Sequence, residues 1–259
     1  MMKKKLIYLN CILVILIVLF ILFPVSKTIK IDNVNDLMEL FQTEQKNITV
    51  QLADGDYHLQ PTAFIDSTCA NCEEPKTANP ATYGLKISGK NIKISGPSDR
   101  SAIIHTHSGY GLFVLNCTDF YLENVTITGG IRDSAAMASD AAIVVKNSRA
   151  EIRNNLITNN LGDSLMIAKN ISGIMGICGR ENSFLKIIDN EIIRNSWDGI
   201  ALFRDTKAIV TGNYIDGVDK AGGRTLGGGR GVAIGVTWNA RAEITNNYIA
   251  RYWKGIGLF

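Results

Sequence analysis

Asp140, Asp198, Arg230 and Lys254 are the residues whose types and places in this sequence could support catalysis. Each lies one or two positions before a recurring apolar motif that opens with Gly or Ala. Its copies are Gly111-Leu-Phe-Val, Ala142-Ile-Val-Val, Gly173-Ile-Met-Gly, Gly199-Ile-Ala-Leu, Gly231-Val-Ala-Ile and Gly255-Ile-Gly-Leu. If the copies stack, the preceding residues form a column, Tyr110, Ala141, Ser172, Asp198, Arg230 and Lys254. The residues before those form a second, Gly109, Asp140, Ile171, Trp197, Gly229 and Trp253. Two carboxylates at suitable separation can serve as acid and base in glycoside hydrolysis. Alternatively, a carboxylate base with Arg230 or Lys254 stabilising a uronate carboxylate could carry out β-elimination. The plainer alternative is an Asp198–Arg230 salt bridge between neighbouring rungs.

The second column also places Trp197 and Trp253 two rungs apart, about 10 Å by strand spacing. Flat rings at such intervals suit the C–H faces of an extended sugar chain, though two indoles can equally cover an edge without any ligand. Tyr110, Arg132, Lys220 and Arg224 complete the expected substrate contacts, the last two beside a Gly-rich run, Gly222-Gly-Arg-Thr-Leu-Gly-Gly-Gly-Arg-Gly231. That run lacks the Lys-Ser/Thr ending and the βαβ setting of a phosphate loop, and reads as a loop open to an anionic substrate. Asp133, Asp140 and Asp163 could offer oxygens to Ca²⁺, but their scatter argues against a built site, and no cofactor is otherwise expected. His58 reads as one polar residue in an alternating strand. His105 and His107 flank Thr106 and, with no third histidine near them in sequence, read as a half-exposed edge pair.

What positions these residues is a second repeat. Ile152-Arg-Asn-Asn-Leu-Ile157 returns as Ile187-Ile-Asp-Asn-Glu-Ile192, Val210-Thr-Gly-Asn-Tyr-Ile215 and Ile244-Thr-Asn-Asn-Tyr-Ile249, with a looser copy at Leu122-Glu-Asn-Val-Thr-Ile127. Two interleaved β-type motifs at this period predict a stacked solenoid with two strands per rung. Asn155, Asn190, Asn213 and Asn247 align, with Val125 in the earliest rung. Stacked amides of this kind can satisfy turn backbone that would otherwise be buried unpaired. The connection between the two motifs is short at 194–198 and 250–254 and long at 129–141, 158–172 and 216–230. All three enlargements use one corner, which predicts a single decorated wall.

The rest of the chain sets bounds. Residues 1–30 hold five lysines and no acid, so the remainder carries 22 Lys+Arg against 24 Asp+Glu, a balance that excludes an electrostatic nucleic-acid footprint. Residues 6–25 are uncharged and mostly aliphatic, long enough to cross the roughly 30 Å hydrocarbon core. Lysines before them orient the remainder outside, and Phe23-Pro-Val-Ser26 is a poor cleavage site, so residues 1–26 read as an uncleaved signal anchor. Residues 27–46 read as a linker and a short amphipathic helix, capped by Asn35 or Asp32, that covers the open end of a solenoid spanning 47–259. Residues 61–83 form a polar insertion carrying Thr-Cys-Ala-Asn-Cys72, read as a local disulfide or two surface thiols. Cys117 and Cys178 read as small buried hydrophobes. The sequence stops inside a strand at Gly255-Ile-Gly-Leu-Phe259, and the C-terminus is expected to be truncated.

The paired strands, the Asn column, Ala53-Asp-Gly-Asp-Tyr57 and the helical lid resemble the right-handed parallel β-helix of the pectin-lyase-like superfamily, and more narrowly the bacterial right-handed β-helix repeat proteins. The resemblance covers residues 31–259. It implies an all-β parallel β-helix and leaves the reaction open, since the architecture hosts lyases, hydrolases, epimerases and non-catalytic members. The Asp-His and Arg-rich patterns of pectate lyases are absent, as are the Asn-Thr-Asp, Asp-Asp and Gly-His-Gly blocks of polygalacturonases and the Asp-Pro-His-Asp of mannuronan epimerases. The expected function is a membrane-anchored, periplasmic or extracellular protein that binds an acidic polysaccharide and cleaves it as a lyase or hydrolase. The alternative is a non-catalytic module binding glycan or protein.

Overall fold

The computed structural model describes residues 26–133, 137–162, 173–217 and 229–259, with only the main chain at 229 and 230. The chain opens with β1 (Lys27–Ile31), α1 (Val34–Leu40), β2 (Gln45–Leu52) and β3 (Gly55–His58), followed by a hairpin of β4 (Thr62–Thr68) and the first part of the long β5 (Lys76–Ser95). β6 (Ala102–His105), β7 (Tyr110–Glu123) and β8 (Thr126–Thr128) lead into regular rungs. These are β9 (Ala141–Lys146), β10 (Arg149–Arg153) and β11 (Leu156–Thr158), then β12 (Met175–Arg180), β13 (Phe184–Ile188) and β14 (Glu191–Ile193). β15 (Ile200–Leu202), β16 (Lys207–Thr211) and β17 (Tyr214–Asp216) follow, then β18 (Gly229–Val236), β19 (Arg241–Thr245), β20 (Tyr248–Ala250) and β21 (Tyr252–Leu258).

Each strand pairs in parallel with its counterpart in the next rung, which gives a three-faced β-helix. Face A holds the start of β7 with β9, β12, β15, β18 and β21. Face B holds the end of β7 with β10, β13, β16 and β19. Face C runs β3, β6, β8, β11, β14, β17, β20. Three strands per rung, not two, correct the sequence reading. The Asn motif is no single strand but two, with a corner at its centre. Asn124, Asn154, Asp189, Gly212 and Asn246 occupy that corner with φ of 59°, 51°, 53°, 71° and 54°. Asn and Asp tolerate this left-handed backbone better than other side chains, and Gly adopts it without strain, so the corner selects them.

The interior is filled by stacked apolar residues, nearly all aliphatic, with the last on face A, Ile256, exposed. Leu85, Leu112, Ile143, Ile177, Ile200, Ile234 and Ile256 pair in line on face A. Val50, Ile94, Leu122, Ile152, Ile187, Val210 and Ile244 do so on face B. Tyr57, Ile104, Ile127, Ile157, Ile192, Ile215 and Ile249 do so on face C. The Asn ladder runs as expected. The Val125 N–H donates to Asn155 Oδ1, and the N–H groups and side-chain amides of Asn155, Asn190 and Asn213 donate in turn to Oδ1 of Asn190, Asn213 and Asn247 at 2.9–3.0 Å. A second step of the same kind runs from Asn160, whose side-chain amide donates to Asn195 Oδ1 at 2.9 Å, outside the repeat that the sequence shows.

The face A pairing shifts two rungs of the sequence alignment. Met175 and Val232, not Ser172 and Arg230, stand in the column of Tyr110, Ala141, Asp198 and Lys254. The motif therefore starts at Gly176 and Ala233 in these rungs. α1 caps the coil as expected, its Leu37 buried with Phe41 and Ile31, but its N-cap is Asn33, which accepts the Asp36 N–H at 3.0 Å. Lys27–Ile31 is no linker: it pairs residue for residue with Ile48 to Leu52, so the coil begins there. Residues 6–25 lie outside the described residues, among which no helix is long and apolar enough to cross a membrane.

Candidate functional site

Face A is apolar on its outer side as well. Tyr110, Phe113, Ala141, Val144, Met175, Cys178, Ala201 and Phe203 form a second buried cluster there. The 61–83 insertion covers it. β4 pairs antiparallel with β5 from Thr62↔Tyr83 to Thr68↔Lys76, and Phe64 packs against Tyr83, Tyr110 and Phe113 at 5.3–5.5 Å between ring centroids. Beneath the hairpin lies a charged network. The fully buried Arg180 pairs with Asp66 at 2.9 Å and Glu181 at 2.5 Å, and Lys146 pairs with Asp66 at 2.5 Å. Burial pushes the Asp66 carboxyl up, but Arg180 and Lys146 outweigh it and hold it below its ordinary range. Tyr110 is part of this network and not of any substrate surface. It is fully buried, donates to Asp66 at 2.9 Å and accepts from Arg180 and the Ser139 N–H.

The hairpin tip forms the far wall of a groove. Cys69 and Cys72 are disulfide-bonded. Arg204 Nε donates to the Cys69 carbonyl at 3.1 Å, and Trp238 Nε1 donates to Asn71 Oδ1 at 2.9 Å. Between this tip and face A lie two adjoining cavities that share Asn71, Trp197, Asp198 and Phe203. One, of about 330 Å³, reaches Arg132 and Asp140; the other, of about 570 Å³, reaches Trp238 and Trp253. Trp197 and Trp253 thus line one cavity. The described ends of the enlarged corners, at Arg132, Asp140, Gly173 and Gly231, border the same groove.

Two of the predicted charged residues meet here. Asp198 accepts the Val232 N–H at 2.7 Å, and no cation pairs with it among the described residues. Burial pushes its carboxyl up to about 7, with the Val232 bond pulling the other way. Asp140 Oδ2 accepts from Arg132 Nη1 and from the Asp133 N–H, while its buried Oδ1 finds no hydrogen-bond partner among the described residues. Burial raises this carboxyl too, to about 7; Arg132 opposes the rise and Asp133 adds to it. Glycines make room for both. A Cβ on Gly109 would lie 2.5 Å from Asp140 Oδ1, and one on Gly231 would lie 2.0 Å from Asp198 Oδ1.

The remaining predicted residues divide. Lys254 is exposed, with Nζ 4.5 Å from the Trp253 ring and 5.0 Å from that of Phe259. Lys220, Arg224 and the Arg230 side chain lie outside the described residues, and with them the Asp198–Arg230 salt bridge. For calcium, Asp133 and Asp140 are neighbours but already bond Thr82 and Arg132, and Asp163 lies outside the described residues. The histidine reading needs correcting: His58 pairs with His105 across β3 and β6, which brings the third ring to the other two. The sequence reading missed Trp238, Phe203 and Asn71. Trp238 lies in a turn with φ 57°, outside every recurring motif, so no periodic signal marks it.

Among curated proteins, no sequence matches this chain. One solved structure with similarity is an alginate lyase from Paenibacillus sp. str. FPU-7, at 13% identity over 90% of this chain and 97% of that one, with a TM-score of 0.22. The model of the right handed beta helix region matches residues 54–249, three quarters of the sequence. The chain therefore belongs to the right-handed β-helix family.

Proposed function

We propose that this protein is a carbohydrate-active β-helix held at the outer side of a membrane through residues 6–25, and that it binds an acidic polysaccharide along the face A groove and cleaves it. The observation carrying this reading is the placement of Asp140 and Asp198, each with its carboxyl raised to about 7, in one cavity with the Trp197 ring. A carboxyl in that range is part protonated near neutrality and can give or take a proton there. Asp198 is the acid–base residue, since no cation among the described residues holds it ionised. Hydrolysis would use Asp140 as its partner. The two stand two rungs apart, about 10 Å at the main chain. Elimination would use Asp198 as the base that removes the C5 proton and returns it to the leaving O4 as the C4–O4 bond breaks, with Arg132 or Lys254 facing the uronate carboxylate. Trp197, Trp253 and Trp238 supply the stacking surface.

One observation favours a non-catalytic glycan-binding module instead. Asp198 clamps the Val232 N–H against Gly231, which is a structural task in its own right. Incubation with uronate-containing and neutral polysaccharides separates the readings. Elimination appears as ultraviolet absorbance of the unsaturated uronate and hydrolysis as new reducing ends without it. Binding without either product leaves the module, and no binding to any glycan refutes the proposal.

A further inference from the structure

All three histidines of the chain stand in one cluster on the outside of face C, at its N-terminal end and apart from the groove. The β3–β6 register sets His58 beside His105, their rings stacked with centroids 4.2 Å apart and planes at 10°. His107 follows at the corner, with φ 48°, a left-handed backbone that few side chains other than Asn and Asp adopt. Its ring lies parallel to the others, 5.5 Å from His58 and 6.1 Å from His105. Asp56, also on β3, places Oδ1 2.7 Å from His105 Nε2. His58 Nδ1 and His107 Nε2 are 3.1 Å apart. One ligating atom from each of Asp56, His58 and His105 falls within 4.8 Å of the others.

We propose that Asp56, His58, His105 and His107 bind a divalent first-row transition ion, with Zn²⁺ as the fitting case. Nitrogens about 2.0–2.1 Å from a tetrahedral zinc stand about 3.3 Å from each other, close to the His58–His107 separation. Imidazole nitrogens with one carboxylate select zinc, nickel, cobalt or copper over calcium and magnesium, which prefer all-oxygen sites. Among the described residues these side chains bond to one another, His105 to Asp56 and His58 to His107, and binding an ion turns the stacked rings so that their in-plane lone pairs converge on it. Asp56, His58 and His107 are exposed and His105 is half-buried.

The test titrates the full-length protein with Zn²⁺ by calorimetry, after chelator treatment, and with Co²⁺ as a spectroscopic probe. The expected result is one ion per chain, the strong visible bands of four-coordinate Co²⁺, and paramagnetically shifted imidazole resonances. Since the chain has no other histidine, those resonances report this cluster alone. Replacing His58 and His105 together by Ala should weaken Zn²⁺ binding at least about 100-fold, and Asp56→Asn about tenfold, with excess Ca²⁺ unable to compete. Absence of saturable binding, Co²⁺ spectra without imidazole shifts, or unchanged affinity in a double variant with native circular dichroism would each overturn the proposal. The imidazole resonances of the wild-type protein decide the matter even if the double variant misfolds.

Discussion

Asp198 accepts the main-chain N–H of Val232, one rung along the coil, at 2.7 Å. The bond spans the point where β18 bulges against β21, between Gly229 and Val232. One carboxylate therefore fixes the strand geometry and sits buried in the floor of the groove.

The raised pKa of Asp198 has a signed consequence. The group's value in the fold, about 7, exceeds its ordinary 3.8, so the folded state holds the proton more tightly than the unfolded chain does. Its contribution to stability is complete below about pH 4 and is lost as pH rises to about 7. Asp198→Asn removes the cost of burying the charge. Urea unfolding should show the variant more stable than wild type at pH 8, by at most about 4 kcal/mol, and equal to it at pH 4. Turnover, by contrast, should disappear at every pH. A stability difference independent of pH would contradict the assignment.

Gly231 should not tolerate a side chain. A Cβ there would lie 2.0 Å from Asp198 Oδ1, 2.8 Å from the Asp198 nitrogen and 3.0 Å from the Trp197 carbonyl carbon, and two of these three are main-chain atoms that cannot step aside. Gly231→Ala should cost about 1–3 kcal/mol. At Gly255 the nearest atom to an added Cβ is Ile249 Cγ2 at 3.8 Å, so Gly255→Ala should stay within about 0.5 kcal/mol of wild type. Thermal unfolding of the pair checks both.

Arg180 holds the hairpin to the coil. It bonds Asp66, Tyr110, Ser139, Glu181 and both the carbonyl and the hydroxyl of Thr68. Arg180→Met leaves the Asp66 carboxylate with Lys146 as its remaining cation among the described residues. Removing one partner of a buried ion pair typically costs about 3–5 kcal/mol. The expected outcome is early proteolytic nicking within residues 62–83 and a lower Tm, with the rungs beyond 184 still protected from hydrogen exchange.

The solenoid was legible because its stacks repeat residue types: Asn155, Asn190, Asn213 and Asn247 identify one another without any knowledge of the third dimension. Register within a rung was less so. Starting a motif at Gly231 or at Ala233 preserves the alternation of inward and outward residues, because only an odd shift exchanges the faces. At Gly173 and Gly176 the shift is odd, but both glycines precede a buried Ile, so neither choice looked wrong. Contacts between distant, non-repeating segments left no trace at all. Asp66 meets Arg180 across 114 positions, and His58 meets His107 across 49. For the same reason the groove's floor, Trp197 and Asp198, was found from the sequence while its far wall, Asn71 and the Cys69–Cys72 tip, was not.

The ladder should weaken unevenly along its length. Asn190 is buried and accepts from Asn155 while donating to Asn213 and to the carbonyls of Ile152 and Ile188. Asn190→Ala strands the Asn155 donors and the Ile152 carbonyl, at about 1–3 kcal/mol for each buried group left unpaired. Asn247 stands at the end of the described ladder and is half-buried, so water reaches more of what Asn247→Ala removes. Denaturant titration should rank the Asn190 variant well below the Asn247 variant, and equal losses would mean that the ladder acts elsewhere than in the buried corner.

Trp253 offers the cleanest separation of binding from folding. Its ring is 62% exposed and lines the larger cavity, so its truncation removes stacking surface but little core. Trp253→Ala should leave stability within about 0.5 kcal/mol while lowering polysaccharide affinity by about tenfold, as expected of an aromatic anchor. Trp197 also packs against the outer cluster of face A, so Trp197→Ala should lower both quantities. Tyr248, 57% exposed and stacked on Tyr214 over face C, is the control, since its removal should change neither. Affinity measured by calorimetry beside thermal unfolding of the three variants tests the groove directly, and a Tyr248 variant that loses affinity while the Trp253 variant keeps it would move the glycan to face C.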